Sequence, residues 1–137
     1  MMRPLCVAAA AAGLSACAQP APAPMTEADI LARGDYLVNS VVLCGDCHTP
    51  MLEEGGHDES RKLHGAPVMV PPPLADYAPT LAGGPANYSE EQFLHFLQTG
   101  ERPDGTQPRP PMPPYRLNED DARAVAAYIR SLPPPQE

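Results

Sequence analysis

Cys44-Gly45-Asp46-Cys47-His48 sets two thiols three positions apart, with an imidazole directly after the second. This is the C-x-x-C-H pattern through which haem is held covalently. Two thiols at that spacing can add to the two vinyl groups along one edge of the ring, and the following histidine is then placed to bind the iron from one face. With 4 Cys and 4 His in 137 residues, a chance match is rare. Three other chemistries use the same residue types. A thioredoxin-like dithiol expects a strand before it in a βαβ unit, whereas the residues before Cys44 read as helix. A structural zinc site expects a second close ligand pair, and His57, His64 and His95 show no such spacing. A plain Cys44–Cys47 disulfide is the third.

Upstream of the motif, Thr26 is placed as an N-cap with Glu27 and Asp29 in the opening turn. Ile30, Leu31, Leu37, Val38 and Val41 then recur at helical spacing, which predicts a helix running to about Leu43. Gly34 inside it costs about 1 kcal/mol relative to Ala, so a close approach by another helix is expected there. A second helix starts at Ser89, which forms a capping-box pattern with Gln92, and stops at Gly100. A third has Asn118 as N-cap, Glu119, Asp120 and Asp121 in its first turn and Arg130 near its end, and is stopped by Pro133 to Pro135. Residues 49–88 and 101–117 are rich in Pro and Gly without period-two alternation, so no sheet of consequence is expected.

The composition agrees with a small chain wrapped around something apolar. There are 20 Pro and 10 Gly, and aromatics make up only 5 %, with no Trp and two Phe. An irregular stretch as long as 49–88 is unusual in a compact domain. It becomes reasonable if the chain encloses a rigid non-protein body that supplies the missing core. The formal charge of −8, with Lys62 as the single lysine, excludes a nucleic-acid binder and favours partners with basic docking surfaces.

Residues 1–16 read as an export signal: Met1-Met2-Arg3, then an apolar run from Leu5 to Ala12 that is too short to cross a bilayer. Leu14-Ser15-Ala16-Cys17 resembles the lipobox of bacterial lipoproteins, which implies cleavage before Cys17 and acylation of that residue. The alternative is cleavage following Ala18, which releases a soluble periplasmic protein. Residues 17–25 are then the lipidated Cys and a Pro/Ala linker. Its Ala18–Pro24 stretch, if extended, spans roughly 22 Å. Several acyl chains together hold a protein stably at a membrane where one does not. The remaining Cys44 and Cys47 leave no idle thiol in an oxidising compartment if both become thioethers.

Residues 26–135 resemble class I c-type cytochromes in the small single-haem form of bacterial periplasms. The resemblance rests on Gly34-Asp35-Tyr36-Leu37 ahead of Cys44 to His48, a late Met in a Pro-rich loop, and Ala127-Tyr128-Ile129-Arg130-Ser131-Leu132 in a terminal helix. It implies an all-α, cytochrome c-like fold: three to four short helices with long Pro/Gly-rich loops wrapped around one covalently bound haem c. It further implies that the first and last helices cross with Gly34 near Tyr128, and that a Pro carbonyl orients His48, for which Pro50, Pro67 and Pro71 compete. The sixth ligand is expected from Met112, in Arg109-Pro110-Pro111-Met112-Pro113-Pro114-Tyr115, where the family places its axial Met. Flanking prolines reduce the entropy lost in holding that thioether. Met51 follows His48 too closely to reach the other face. Met69 is read as filler packing the haem edge. His57 and His64 are read as solvated and His95 as unliganded. Propionate partners are sought among Arg102, Arg109, Tyr77, Tyr88 and Tyr115.

These readings make the chain an electron carrier, not itself an enzyme. Cys44 and Cys47 attach the haem, His48 and Met112 are its axial ligands, and the chain acts as a monomer or as the cytochrome subunit of a periplasmic dehydrogenase complex. The lead-in Arg33 to Leu37 looks similar to such subunits. A rival class is a haem-based ligand sensor or peroxidase-like enzyme with a labile sixth ligand. A third is an assembly module whose haem is structural.

Overall fold

The computed structural model describes residues 24–136, so the expectations for the export signal, for Cys17 and for the linker up to residue 23 lie outside the described residues. Four helices carry the fold: α1 (Glu27–Tyr36), α2 (Gly45–His48), α3 (Glu90–Thr99) and α4 (Glu119–Ser131). Each long helix begins at the residue whose side chain satisfies its first orphan amides. Thr26 accepts from the Asp29 amide at 3.2 Å while Asp29 accepts back from Thr26 N at 2.9 Å, a reciprocal capping box. Ser89 and Gln92 repeat the device on α3. On α4, Asn118 accepts from the Asp121 amide at 2.8 Å. At the far end of α3, Gly100 takes φ 75° and returns its N–H to Phe96 O at 2.8 Å.

The first helix ends at Val41, two residues short of the expected Leu43, and it is not one regular helix. After Tyr36 it loosens into a π-helical turn, Leu37–Val41, in which Val42 N donates five residues back to Leu37 O at 2.7 Å. The Asn39 side-chain amide donates to Asp35 O at 3.0 Å and to Tyr128 Oη at 3.1 Å, so the widened turn is tied both to the preceding helix and to α4.

α1 and α4 cross at Gly34. A Cβ built there would lie 2.6 Å from Tyr128 Cβ and against the Ala124 carbonyl, so only glycine permits the approach. Arg33 Nε to Asp121 Oδ1 at 2.9 Å closes the same crossing at the surface. α4 also packs on α3, and Arg130 reaches Glu90 across that contact at 3.2 Å. The interior is filled by Leu37, Val38, Phe93, Phe96, Leu97, Val125 and Ile129, with four buried or nearly buried alanines of α4 and the loop before α3 filling the close spaces.

Among the described residues the only sheet is a two-residue antiparallel ribbon, β1 (Ala66–Pro67) with β2 (Tyr77–Ala78), in the register Ala66 to Ala78 and Pro67 to Tyr77. Just beyond the ribbon Val68 N donates to Asp76 O at 2.8 Å, and Pro71 to Pro73 follow. No helix of the described residues is long and apolar enough to cross a membrane.

Because the neighbours of Gly34 include α4 backbone that cannot rotate away, Gly34→Ala is expected to destabilise the protein by about 1–3 kcal/mol despite the better helix propensity of Ala. Urea unfolding of the two proteins measures this; an unchanged or raised midpoint would show that the crossing does not need glycine.

Candidate haem-binding site

The C-x-x-C-H segment is positioned by the end of the first helix. Val42 closes the π turn, Leu43 takes φ 56°, and the chain swings into the single turn of α2 with Cys44 at its N-cap. Three positions apart on a helical turn, Cys44 and Cys47 lie on adjoining faces, and both are free, partly buried thiols. Burial pushes the Cys44 thiol up to about 11, so it stays protonated at neutral pH.

His48 is only 5 % exposed. Its Nδ1 sits 2.7 Å from Pro79 O, and since a carbonyl only accepts, Nδ1 carries the hydrogen and donates it. Burial pulls the imidazole pKa down against the opposing pull of that bond, which favours the neutral ring. A neutral ring protonated at Nδ1 presents its lone pair at Nε2. That atom has no hydrogen-bond partner among the described residues, and no side-chain nitrogen or oxygen is both fully enclosed and unpartnered, so Nε2 opens onto accessible space.

Cys47 and Met112 line one small apolar cavity of about 60 Å³, together with Leu43, Val68, Ala75, Tyr77, Ala78, Pro111, Pro113 and Tyr115. The Pro-rich loop that carries Met112 is held there by two bonds. Tyr115 Oη donates to Val42 O at 2.8 Å, and Ala75 N donates to Pro110 O at 2.8 Å. Burial pushes the Tyr115 hydroxyl up to about 12, with the nearby Cys44, Cys47 and Asp46 adding to the shift. Two thiols, a histidine with one nitrogen fixed and the other open, and a thioether in an apolar cavity form a donor set that fits haem c. The same set suits neither a hard cation nor a phosphate.

Several sequence expectations are corrected here. The carbonyl that orients His48 belongs to Pro79, not to Pro50, Pro67 or Pro71. Pro50 and Pro67 put their carbonyls elsewhere or in the ribbon, and Pro50 O accepts from Asp58 N at 2.8 Å. Met69 is 99 % exposed and does not pack in the protein's own core, which does not bear on its expected place at the haem edge. His64 is not simply solvated, because its Nε2 lies 3.1 Å from Pro133 O. Of the proposed propionate partners, Tyr77 and Tyr115 line the cavity, while Tyr88 is committed edge-on to Phe93 and Phe96 at centroid distances of 6.1 and 5.7 Å. Arg102 and His95 border a different groove along α3, with Glu90, Glu91 and Glu101.

Comparison with known proteins points the same way as the donor set. The cytochrome c family model matches residues 31–133. A diheme cytochrome c-type protein of Cereibacter sphaeroides is 32 % identical over 106 residues, covering 74 % of this chain and 35 % of that protein. The cytochrome c subunit of an alcohol dehydrogenase (quinone) from Gluconacetobacter polyoxogenes is 33 % identical over 128 residues, covering 82 % of this chain and 26 % of that subunit. The fructose dehydrogenase cytochrome subunit of Gluconobacter japonicus is 32 % identical over 117 residues, covering 79 % of this chain and 23 % of that one. The chain thus spans about a third or less of the length of these curated relatives. Since the matched segment takes in the later part of α1, the C-x-x-C-H turn, the Met112 loop and all of α4, the chain belongs to the cytochrome c family, as a class I c-type cytochrome.

Proposed function

We propose that the chain is a single-haem electron-carrying domain of a bacterial periplasmic respiratory or dehydrogenase-linked chain. Cys44 and Cys47 hold the ring through thioethers, and His48 and Met112 are the axial iron ligands. The observation that carries this reading is the state of His48: buried, its Nδ1–H committed to Pro79, its Nε2 free, one residue from a thiol that shares a cavity with Met112. The bound group supplies one-electron oxidation and reduction at its iron. The protein's part is to exclude water with Leu43, Val68, Ala78 and the prolines, and to restrain Met112 between Pro111 and Pro113 so that little entropy is lost in holding its sulfur. Thioether ligation in place of a second nitrogen favours ferrous iron and raises the reduction potential.

The names of the relatives support placing this carrier in a dehydrogenase complex, as the subunit that accepts electrons from a dehydrogenase and passes them on. The domain division follows the sequence: export signal 1–16, lipidated Cys17 and linker 17–25, cytochrome domain 26–135. The acidic excess of the chain suits redox partners with basic docking surfaces.

Visible spectra test the ligand pair. The holoprotein is expected to be low-spin with the weak red band of methionine on ferric iron. Met112→Ala should lose that band, and Met69→Ala, at a fully exposed position, should keep it. A high-spin wild type, or a Met112→Ala protein with an unchanged spectrum, removes Met112 from the iron and advances the sensor or peroxidase reading. Carbon monoxide gives a second check at neutral pH. Ferrous wild type should bind it at least about tenfold more slowly than Met112→Ala, because a ligand must first leave; equal fast rates would mean a labile sixth position. For the anchor, Cys17→Ala is expected to move the protein from the membrane to the soluble fraction of the periplasm. Soluble wild type would favour cleavage following Ala18.

A further inference from the structure

The bond from His48 to Pro79 joins two residues that are 31 positions apart, and a three-residue segment between them holds both of its ends in place. That segment is Leu63-His64-Gly65. Leu63 is fully buried at 0 % exposure and sits at φ 58°, in the left-handed region that side-chain-bearing residues rarely adopt. Its N–H donates to Thr49 Oγ1 at 3.1 Å, and its carbonyl accepts from Leu81 N at 2.9 Å and Ala82 N at 3.1 Å. The His64 carbonyl accepts from Thr80 Oγ1 at 2.7 Å. The Gly65 amide donates to His48 O at 2.8 Å.

One side of the segment therefore grips the backbone of His48, and the other grips the chain on the C-terminal side of Pro79. There is no slack between the two grips. A Cβ on Gly65 would lie 2.9 Å from Thr80 N and 3.0 Å from Ala78 O, so the segment is pressed directly against the peptide units on either side of Pro79.

We propose that Thr80 is a positioning residue for the axial histidine: by donating its hydroxyl to His64 O, it fixes the Pro79–Thr80 peptide so that the Pro79 carbonyl points at His48 Nδ1. This rests on the reading of His48 as an iron ligand. A carbonyl that takes a strong hydrogen bond from Nδ1 makes the opposite nitrogen a better donor, as second-sphere partners do for ligating histidines in general. Better donation favours the ferric state. Without the Thr80 hydroxyl the peptide keeps the bonds of Leu81 and Ala82 next to it but loses its own, so the Nδ1 bond lengthens and the balance moves toward ferrous iron.

Thr80→Val, which keeps the shape and removes the donor, and Thr80→Ser, which keeps the donor, are compared in the holoprotein with ¹⁵N-labelled histidine. Two quantities are read: the midpoint potential and the Nδ1–H resonance of His48 in the ferrous protein. Thr80→Val is expected to raise the potential and to move the Nδ1–H resonance upfield, as for a weaker hydrogen bond, while Thr80→Ser restores both. If Thr80→Val lowers only the unfolding temperature and leaves both readouts unchanged, Thr80 merely satisfies a carbonyl and the proposal is overturned. Failure of the serine variant to restore them overturns it as well. Should Thr80→Val not retain haem, Thr80→Ala set against Thr80→Ser makes the same comparison. A wild-type protein with no iron-bound His48 signal defeats the ligand assignment itself, a result distinct from a normal wild type with an indifferent Thr80→Val.

Discussion

A hydrogen bond that must close across a long irregular stretch constrains everything folded in between. His48 can keep its Nδ1–H buried only if an acceptor arrives, because an unpaired buried donor costs about 1–3 kcal/mol. The acceptor is Pro79 O, and bringing it there requires the chain to leave α2, turn at Leu63 and Gly65, and run back along β1 and β2. The ribbon is too short to be stable by itself. Its stability comes from the segment it presses on, and that segment is in turn fixed by Thr49 and by the Leu81 and Ala82 amides. The histidine and the loop therefore order each other.

The helices supply the rigid frame against which that loop is folded. α1 and α4 approach until backbone meets side chain at Gly34, and the π turn that follows adds one residue's worth of rotation before the motif. With a regular helix through Val41, Leu43 and Cys44 would point elsewhere, since each residue along an α-helix turns the side chain by about 100°. Asn39, bonded to Asp35 and to Tyr128, holds the altered turn against the same helix that Gly34 touches. The crossing and the orientation of Cys44 are thus coupled through one side chain. Tyr115, donating to Val42 O, couples the Met112 loop to the same place. Three distant parts of the chain converge on the last turn of the first helix.

What the sequence makes legible follows the range of the interactions. Helix ends are decided within four residues, so Thr26, Ser89, Gly100 and Asn118 could be read directly, and the structure has each in its expected cap. Gly34 was legible because glycine inside a helix is a local cost that needs a distant reason. The C-x-x-C-H motif is local as well. Pro79 was not legible, because the choice among several prolines depends on where Leu63 and Gly65 turn the chain. Leu63 at φ 58° runs against its own backbone preference and leaves no mark in composition or periodicity. The π turn was missed for the same reason: its hydrophobic spacing is that of an ordinary helix over so short a run. The exposed position of Met69 against the half-buried one of Met112 likewise depends on loop bonds, Ala75 to Pro110 and Tyr115 to Val42, that join segments far apart in sequence.

The same distinction governs the charge. A formal −8 invites a picture of one acidic face, yet many of the acids have local work. Asp29, Asp58 and Asp104 are held below the usual carboxylate range by hydrogen bonds from neighbouring Thr26, Ser60 and Thr106, all at turns or helix starts. Glu59, Glu90, Glu119 and Asp121 are paired with Lys62, Arg130, Arg123 and Arg33. Exposed pairs of this kind contribute little to stability, on the order of 1 kcal/mol or less each, but they cancel field locally. The negative potential left over comes from acids outside these pairs and turns, and Asp46, inside the C-x-x-C-H turn, is the one placed beside Cys44 and Tyr115. Asp46 borders not the cavity of Cys47 and Met112 but the neighbouring pocket lined by Asn39, His57, Glu59 and Lys62, so a cation already shares its surroundings. At 0.1 M salt, where the Debye length is about 10 Å, exposed charges farther apart than that are largely screened, so the formal −8 acts chiefly at close range, where pairs and turns have already offset part of it.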